Sequence, residues 1–112
     1  MSDYQRRDDV ATVPALLALA RPEGQQFMAF NHSIERGDGA IPRKYRELIA
    51  LGVALTTQCA YCIDVHTRQA RQNGVTREEL AEAAFIAAGV RAGGTLAHAL
   101  MALRLFDEGS TP

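Results

Sequence analysis

Two cysteines among 112 residues are too few for the disulfide framework of a small secreted scaffold. Charge of one sign is also missing. Twelve Lys and Arg against thirteen Asp and Glu leave a formal net charge of −1, which excludes the clustered basic excess of a nucleic-acid module, so no nucleic-acid partner is expected. The longest wholly uncharged stretch, Leu48 to Ile63, contains Gly52, Thr56, Thr57 and Gln58. It falls short of the ~18 to 20 apolar residues that a membrane span needs, so no membrane partner is expected either. Arg6 and Arg7 are followed at once by Asp8 and Asp9, which does not read as the start of a secretory leader, and a cytoplasmic protein is expected. Internal repeats and low-complexity tracts are absent, so residues 1–112 are expected to form a single domain.

What is present favours helices. Alanine occurs 19 times and leucine 11 times, and strand-like alternation of β-branched residues is lacking, so the expected fold class is all-α. Pro14 with Leu16, Leu17 and Leu19 predicts a short first helix ending before Pro22, and Phe27, Phe30 and Ile34 mark a second that stops at Gly37-Asp38-Gly39. Pro42 opens a third helix, to about Thr57, with Tyr45, Leu48, Ile49, Gly52 and Leu55 as its apolar stripe; Gly52 is expected to admit a close neighbour. A fourth helix is expected from Gln58 to Asn73, with Gly74 as its left-handed cap. Thr76 and Glu79 have the spacing of a capping box and start a fifth, whose inner face would carry Leu80, Ala84, Phe85 and Ala88. Gly93-Gly94 would separate it from a sixth, apolar on more than one face through Leu96, Leu100, Leu103 and Phe106 on one side and Ala97, Met101 and Leu105 on the other. That excess apolar surface, on a chain too short to bury much of it alone, predicts a homo-oligomer built through helices.

Chemistry enters at Cys59-Ala60-Tyr61-Cys62-Ile63-Asp64-Val65-His66, a Cys-x2-Cys-x3-His pattern. In a reducing compartment a close cysteine pair is a redox or metal centre more often than a structural disulfide. At about 100° per residue on a helix, Cys59, Cys62 and His66 fall within a roughly 60° sector of one face. Cys62 and His66 are one turn apart, so the imidazole could take up the thiol proton and make Cys62 the nucleophile. Cys59, in the first turn, is placed to resolve an oxidised Cys62 as a disulfide. A helix N-terminus favours the thiolate nearest to it, which is Cys59; the histidine favours Cys62, and the nucleophile is assigned to Cys62.

Glu47 precedes Cys59 by twelve positions, so the chain reads Glu-x11-Cys-x2-Cys-x3-His. With Ile41-Pro42-Arg43-Lys44, Arg46-Glu47-Leu48-Ile49-Ala50-Leu51 and Gly74-Val75-Thr76, this resembles the AhpD-like alkylhydroperoxidases of the wider carboxymuconolactone decarboxylase family, over a core of about residues 22–107. The resemblance implies a thiol-dependent hydroperoxide reductase with Cys62 as the peroxide-reactive thiol, Cys59 as its resolving partner, and Glu47 and His66 as a proton relay. It also implies a helical homotrimer or homohexamer that takes electrons from a thiol or dithiol reductant and needs no cofactor. Tyr61 stands where well-known members have a histidine, and those members carry a second related helical unit.

Other readings use the same residues. From spacing alone Glu47 is a solvated ion pair with Arg43 or Lys44. Cys59, Cys62 and His66 would hold zinc only if His32 or His98 joined them as a fourth ligand. A lactone or acid enzyme of the decarboxylase branch, and a non-enzymatic redox-sensing or metal-binding oligomer, are the competing functions.

Overall fold

In a computed structural model, residues 4–109 are described, and among them there are helices and no strands. A 3-10 segment, Arg7–Thr12, leads into α1 (Val13–Leu19), α2 (Arg21–Ile34), α3 (Arg43–Thr57), α4 (Ala60–Gln72) and α5 (Arg77–Gly109). The centre is α3, which packs against both α4 and α5, while α1 lies on α2 and the 3-10 segment touches α1 and α4. Leu51 and Ala54 of α3 and Ala70 of α4 are the buried apolar residues of this centre. Gly24 is buried where α1 meets α2: a Cβ there would stand 2.6 Å from the Leu17 carbonyl oxygen, so only glycine allows that approach.

The connection from α2 to α3 is held by Arg46. Its Nε donates to the Ile41 carbonyl at 2.8 Å and its Nη1 to the Ile34 carbonyl at 2.9 Å, which satisfies a carbonyl at the otherwise open end of α2. The capping box is present. Thr76 N donates to Glu79 Oε1 at 2.9 Å and Glu79 N to Thr76 Oγ1 at 3.1 Å. Gly74 takes φ +83°, the left-handed conformation expected of it.

Four expectations are corrected. Gln58 and Cys59 do not begin α4: Gln58 has φ 57° and ψ 41°, closing α3 in the left-handed region, and Cys59 is extended at the N-cap of α4. The predicted break at Gly93-Gly94 is absent, and one helix of 33 residues replaces two, which leaves five α-helices and the 3-10 segment among the described residues. Two glycines cost only about 2 kcal/mol relative to alanine and remove no hydrogen bond, so the alanine-rich flanks carry the helix through. Phe85 is not on the inner face of α5; it is 80% exposed, and Ala83, Ala84 and Ala87 are the less exposed positions of that stretch. Gly52 does not mark a tight approach, since a Cβ there would meet Ala87 Cβ at an ordinary 3.9 Å.

The unbroken α5 bears on the expected absence of a membrane partner and on the excess apolar surface. By length and composition alone it is apolar enough to cross a membrane, with an 18-residue window of mean hydropathy 1.3, although core helices of soluble proteins pass the same test. Arg91 ties α5 to the carbonyl of Thr56 at the end of α3, and beyond it residues 92–109 are exposed on every side. The radius of gyration is 18.9 Å, against about 13 Å for a compact chain of this length. A large share of the apolar side chains therefore faces outward in the isolated protomer, including Leu96, Leu100, Leu103 and Phe106 at 61% exposure or more.

Candidate functional site

The left-handed turn at Gln58 folds α4 back along α3 and brings Glu47, Cys62 and His66 to one cavity of about 490 Å³. Its walls are mostly apolar, with Ile34 and Ile41 from the α2–α3 connection and Ile49, Val53 and Ala54 from α3. Glu47 is 2% exposed, so it is not the solvated ion pair that spacing alone suggests. Its Oε2 lies 2.9 Å from His66 Nδ1. A carboxylate only accepts, so the ring proton of this pair sits on Nδ1. Arg43 Nε and Nη2 are each 3.0 Å from the other oxygen, Oε1. Lys44 reaches away, to Glu79 at 2.9 Å.

Both cysteines are free thiols. Cys59 does not line the cavity; its Sγ caps α4 by accepting from Cys62 N at 3.3 Å. The Cys62 thiol beside it, then the backbone N–H groups of Cys62 and Tyr61, hold the Cys59 thiol below its ordinary pKa. The same contact with Cys59, followed by burial, pushes the Cys62 thiol up. Among the described residues no hydrogen bond joins His66 to Cys62: the two line one cavity, but the ring nitrogen that is engaged turns to Glu47. The spacing of one turn brought these residues together without pairing them.

Tyr61 points away from the pair, its hydroxyl donating to Asp9 Oδ2 at 2.7 Å, and Arg7 pairs with Asp64 at 3.2 Å. The 3-10 segment is thereby pinned to the start of α4. His98 is exposed and its Nδ1 donates to the Gly94 carbonyl at 3.0 Å. Among the described residues no group of three or more His, Cys, Asp or Glu side chains could hold a metal ion.

Sequence reasoning missed the part of Arg43 and Glu35 at this site. Arg43 Nη2 is 3.8 Å from Glu35 Oε2, and Glu35 Oε1 accepts from Asn31 Nδ2 at 3.2 Å. The signal was available at Arg43, four residues before Glu47, but a pair at that spacing is ordinary on a helix surface and only burial distinguishes this one.

Comparison with known proteins places the chain in a family. An uncharacterised protein from the cox locus of Paracoccus denitrificans is 46% identical over 71 residues, which is 63% of this chain and 64% of that protein. An uncharacterised protein of Cupriavidus necator is 39% identical over 70 residues, 62% of each chain. One of Bacillus subtilis is 37% identical over 59 residues, 53% of this chain and 40% of its own. The matches thus span less than two thirds of each relative's length. The profile of the carboxymuconolactone decarboxylase family matches residues 22–105, and the chain belongs to that family.

Proposed function

We propose that this protein is a cysteine-dependent hydroperoxide reductase, reading Cys62 as the thiol that meets the peroxide and Cys59 as the thiol that resolves it. One observation carries the proposal: Cys62 and a hydrogen-bonded Glu47–His66 pair line the same apolar cavity, with Cys59 at 3.3 Å from the Cys62 backbone nitrogen. His66 takes the proton of the Cys62 thiol, which the contact with Cys59 holds above its ordinary pKa at rest; the thiolate attacks the terminal oxygen of a hydroperoxide, the O–O bond breaks, and the alkoxide takes a proton and leaves as alcohol. Cys62 is then a sulfenic acid. Cys59, as thiolate, attacks that sulfur; hydroxide takes a proton and leaves as water, and a disulfide remains. An external dithiol reopens it and is itself oxidised. His66 exchanges the protons through Nε2, the ring nitrogen not bound to Glu47, and Glu47 stabilises the imidazolium.

The apolar walls favour an organic hydroperoxide over hydrogen peroxide. The exposed face of α5 fits self-association, in which helices of other copies cover Leu96, Leu100 and Leu103. Light scattering in detergent-free buffer should give a mass several times that of one chain; a monomer, or one that partitions into lipid vesicles, would overturn this part.

The catalytic reading is tested by intact mass after one equivalent of cumene hydroperoxide, which should show loss of two hydrogens. Thiols that stay reduced sink it. Cys62→Ser should abolish peroxide consumption, while Cys59→Ser should accumulate a sulfenic acid; the reverse pattern exchanges the two roles. Stoichiometric zinc lost on Cys59→Ser would favour the metal-binding reading instead.

A further inference from the structure

Arg43 does not belong to the Glu-x11-Cys-x2-Cys-x3-His pattern, yet it makes the closest cationic contact of the buried carboxylate. The two oxygens of Glu47 are divided between partners: Oε1 accepts from Arg43 Nε at 3.0 Å, with Nη2 paired to it at the same distance, and Oε2 accepts from His66 Nδ1 at 2.9 Å. Arg43 is held in turn by Glu35, at 3.8 Å, and Glu35 by Asn31, at 3.2 Å. The series runs from α2 through α3 to α4, and its side chains go from about a quarter exposed at Glu35 and Arg43 to 2% at Glu47.

The terminal torsion of a glutamate is broad and nearly two-fold, so a carboxylate with both oxygens free can turn and offer either one. A guanidinium that donates its Nε–H to one oxygen and holds a second charged nitrogen against the same oxygen removes that freedom. The imidazole then meets a single fixed acceptor. An imidazole facing a fixed acceptor keeps its proton on the nitrogen that donates, which here leaves the Nε2 lone pair free.

We propose that Arg43 is a positioning residue: by occupying Glu47 Oε1 it fixes Oε2 on His66, holds the ring in its Nδ1–H tautomer, and so keeps Nε2 as the nitrogen that exchanges protons in the cavity, with Glu35 setting the pose of Arg43. The consequence for turnover rests on the hydroperoxide-reductase reading above, whereas the state of the ring does not.

Long-range ¹H–¹⁵N correlation spectra of the full chain, recorded at a pH where the spectra show the His66 ring to be neutral, separate the two. In the wild type His66 should show a protonated Nδ1 and an unprotonated Nε2. Arg43→Gln should give averaged signals from both tautomers, Glu35→Gln the same effect more weakly, and Arg43→Lys, which restores one donor, a return toward the wild-type spectrum. In the peroxide assay Arg43→Gln should lower kcat by about tenfold or more, because a histidine in the wrong tautomer cannot exchange the proton, and should leave KM for the hydroperoxide near its wild-type value. If Arg43→Gln melts at a lower temperature but keeps the single Nδ1–H tautomer, Arg43 is structural and the proposal is overturned. The same follows if Glu35→Gln, which retains the full side-chain volume, folds normally and leaves both the tautomer and kcat unchanged. Absence of peroxide consumption in the wild type would overturn the enzymatic reading alone, since the spectra still decide the role of Arg43.

Discussion

Replacing Glu47 by Gln tests whether the buried carboxylate organises α3 and α4. The substitution keeps the volume and removes the charge from a side chain that is 2% exposed, accepts from His66 Nδ1 at 2.9 Å and Arg43 Nε at 3.0 Å, and has Arg43 Nη2 as an ion-pair partner at 3.0 Å. An amide oxygen can still accept from one partner, but the amide NH₂ confronts the donors of the other. Removing one partner of a buried ion pair costs about 3 to 5 kcal/mol, because the remaining charge is left uncompensated. The Arg43 side chain is 27% exposed and has Glu35 at 3.8 Å to turn toward, which puts the expected loss at the lower end, about 3 kcal/mol. At roughly 4 °C per kcal/mol for a chain of this size, the thermal midpoint should fall by about 12 °C. Urea unfolding followed by circular dichroism, repeated at several protein concentrations to separate folding from association, measures the loss. Adding Arg43→Met to Glu47→Leu should recover much of what Glu47→Leu alone loses, because an apolar pair leaves no buried charge behind. A loss below about 1 kcal/mol for Glu47→Gln would refute the reasoning, since only a solvated carboxylate is so cheaply neutralised.

Three further outcomes are expected. Gln58→Gly should stabilise the protein by about 1 kcal/mol in the same unfolding experiment, because φ 57° strains a residue with a Cβ and suits glycine; a lower midpoint would contradict this. Iodoacetamide labelling read by peptide mass should modify Cys59 at lower pH than Cys62, and Cys62→Ala should move the Cys59 midpoint upward while Cys62→Ser, which keeps a donor, moves it less. An unchanged midpoint in Cys62→Ala would show that the neighbouring thiol is not the main cause. The Tyr61 hydroxyl, followed by the Arg6 backbone N–H, holds Asp9 below the usual carboxylate range, so its contribution to docking the 3-10 segment is complete above the unfolded carboxyl pKa and is lost as pH falls through the lowered value. Tyr61→Phe should raise the Asp9 midpoint in a carboxyl NMR titration, and no change would dismiss the contact.

How much was legible follows from the range over which each signal acts. Helix class, the Thr76–Glu79 capping box and the Gly74 cap are set by residues within one turn of each other, and each is found where the local pattern puts it. Cys59 was misplaced because a left-handed glutamine carries no mark in a sequence, unlike a glycine at the same position. The Gly93-Gly94 break failed for the opposite reason: glycine lowers helix propensity without forbidding helix, and Leu96, Ala97 and the alanines before it outweigh it. At the site, Glu47 and His66 are 19 residues apart and no periodicity links them; the family resemblance did. Arg43 was visible as a helical neighbour of Glu47, yet its meaning depends on the burial of Glu47, which spacing does not encode.

The open shape of the protomer and the closed character of its polar network belong together. A chain whose buried apolar side chains among the described residues are Leu51, Ala54 and Ala70 has little apolar core with which to fix the angle between α3 and α4. The ion pairs and hydrogen bonds through Glu47 supply that constraint, and they are directional where apolar contact is not. If copies of the chain cover α5, they add apolar burial on the α5 side of α3, while the Asn31–Glu35–Arg43–Glu47–His66 series lies among α2, α3 and α4. Assembly would then raise stability without altering the contacts of His66. The two can be separated by experiment: Leu100→Asp should disperse the oligomer and lower its melting temperature, yet leave the His66 tautomer as it is in the wild type. A change of tautomer on dispersal would show that the neighbouring copy, and not Arg43, holds the ring.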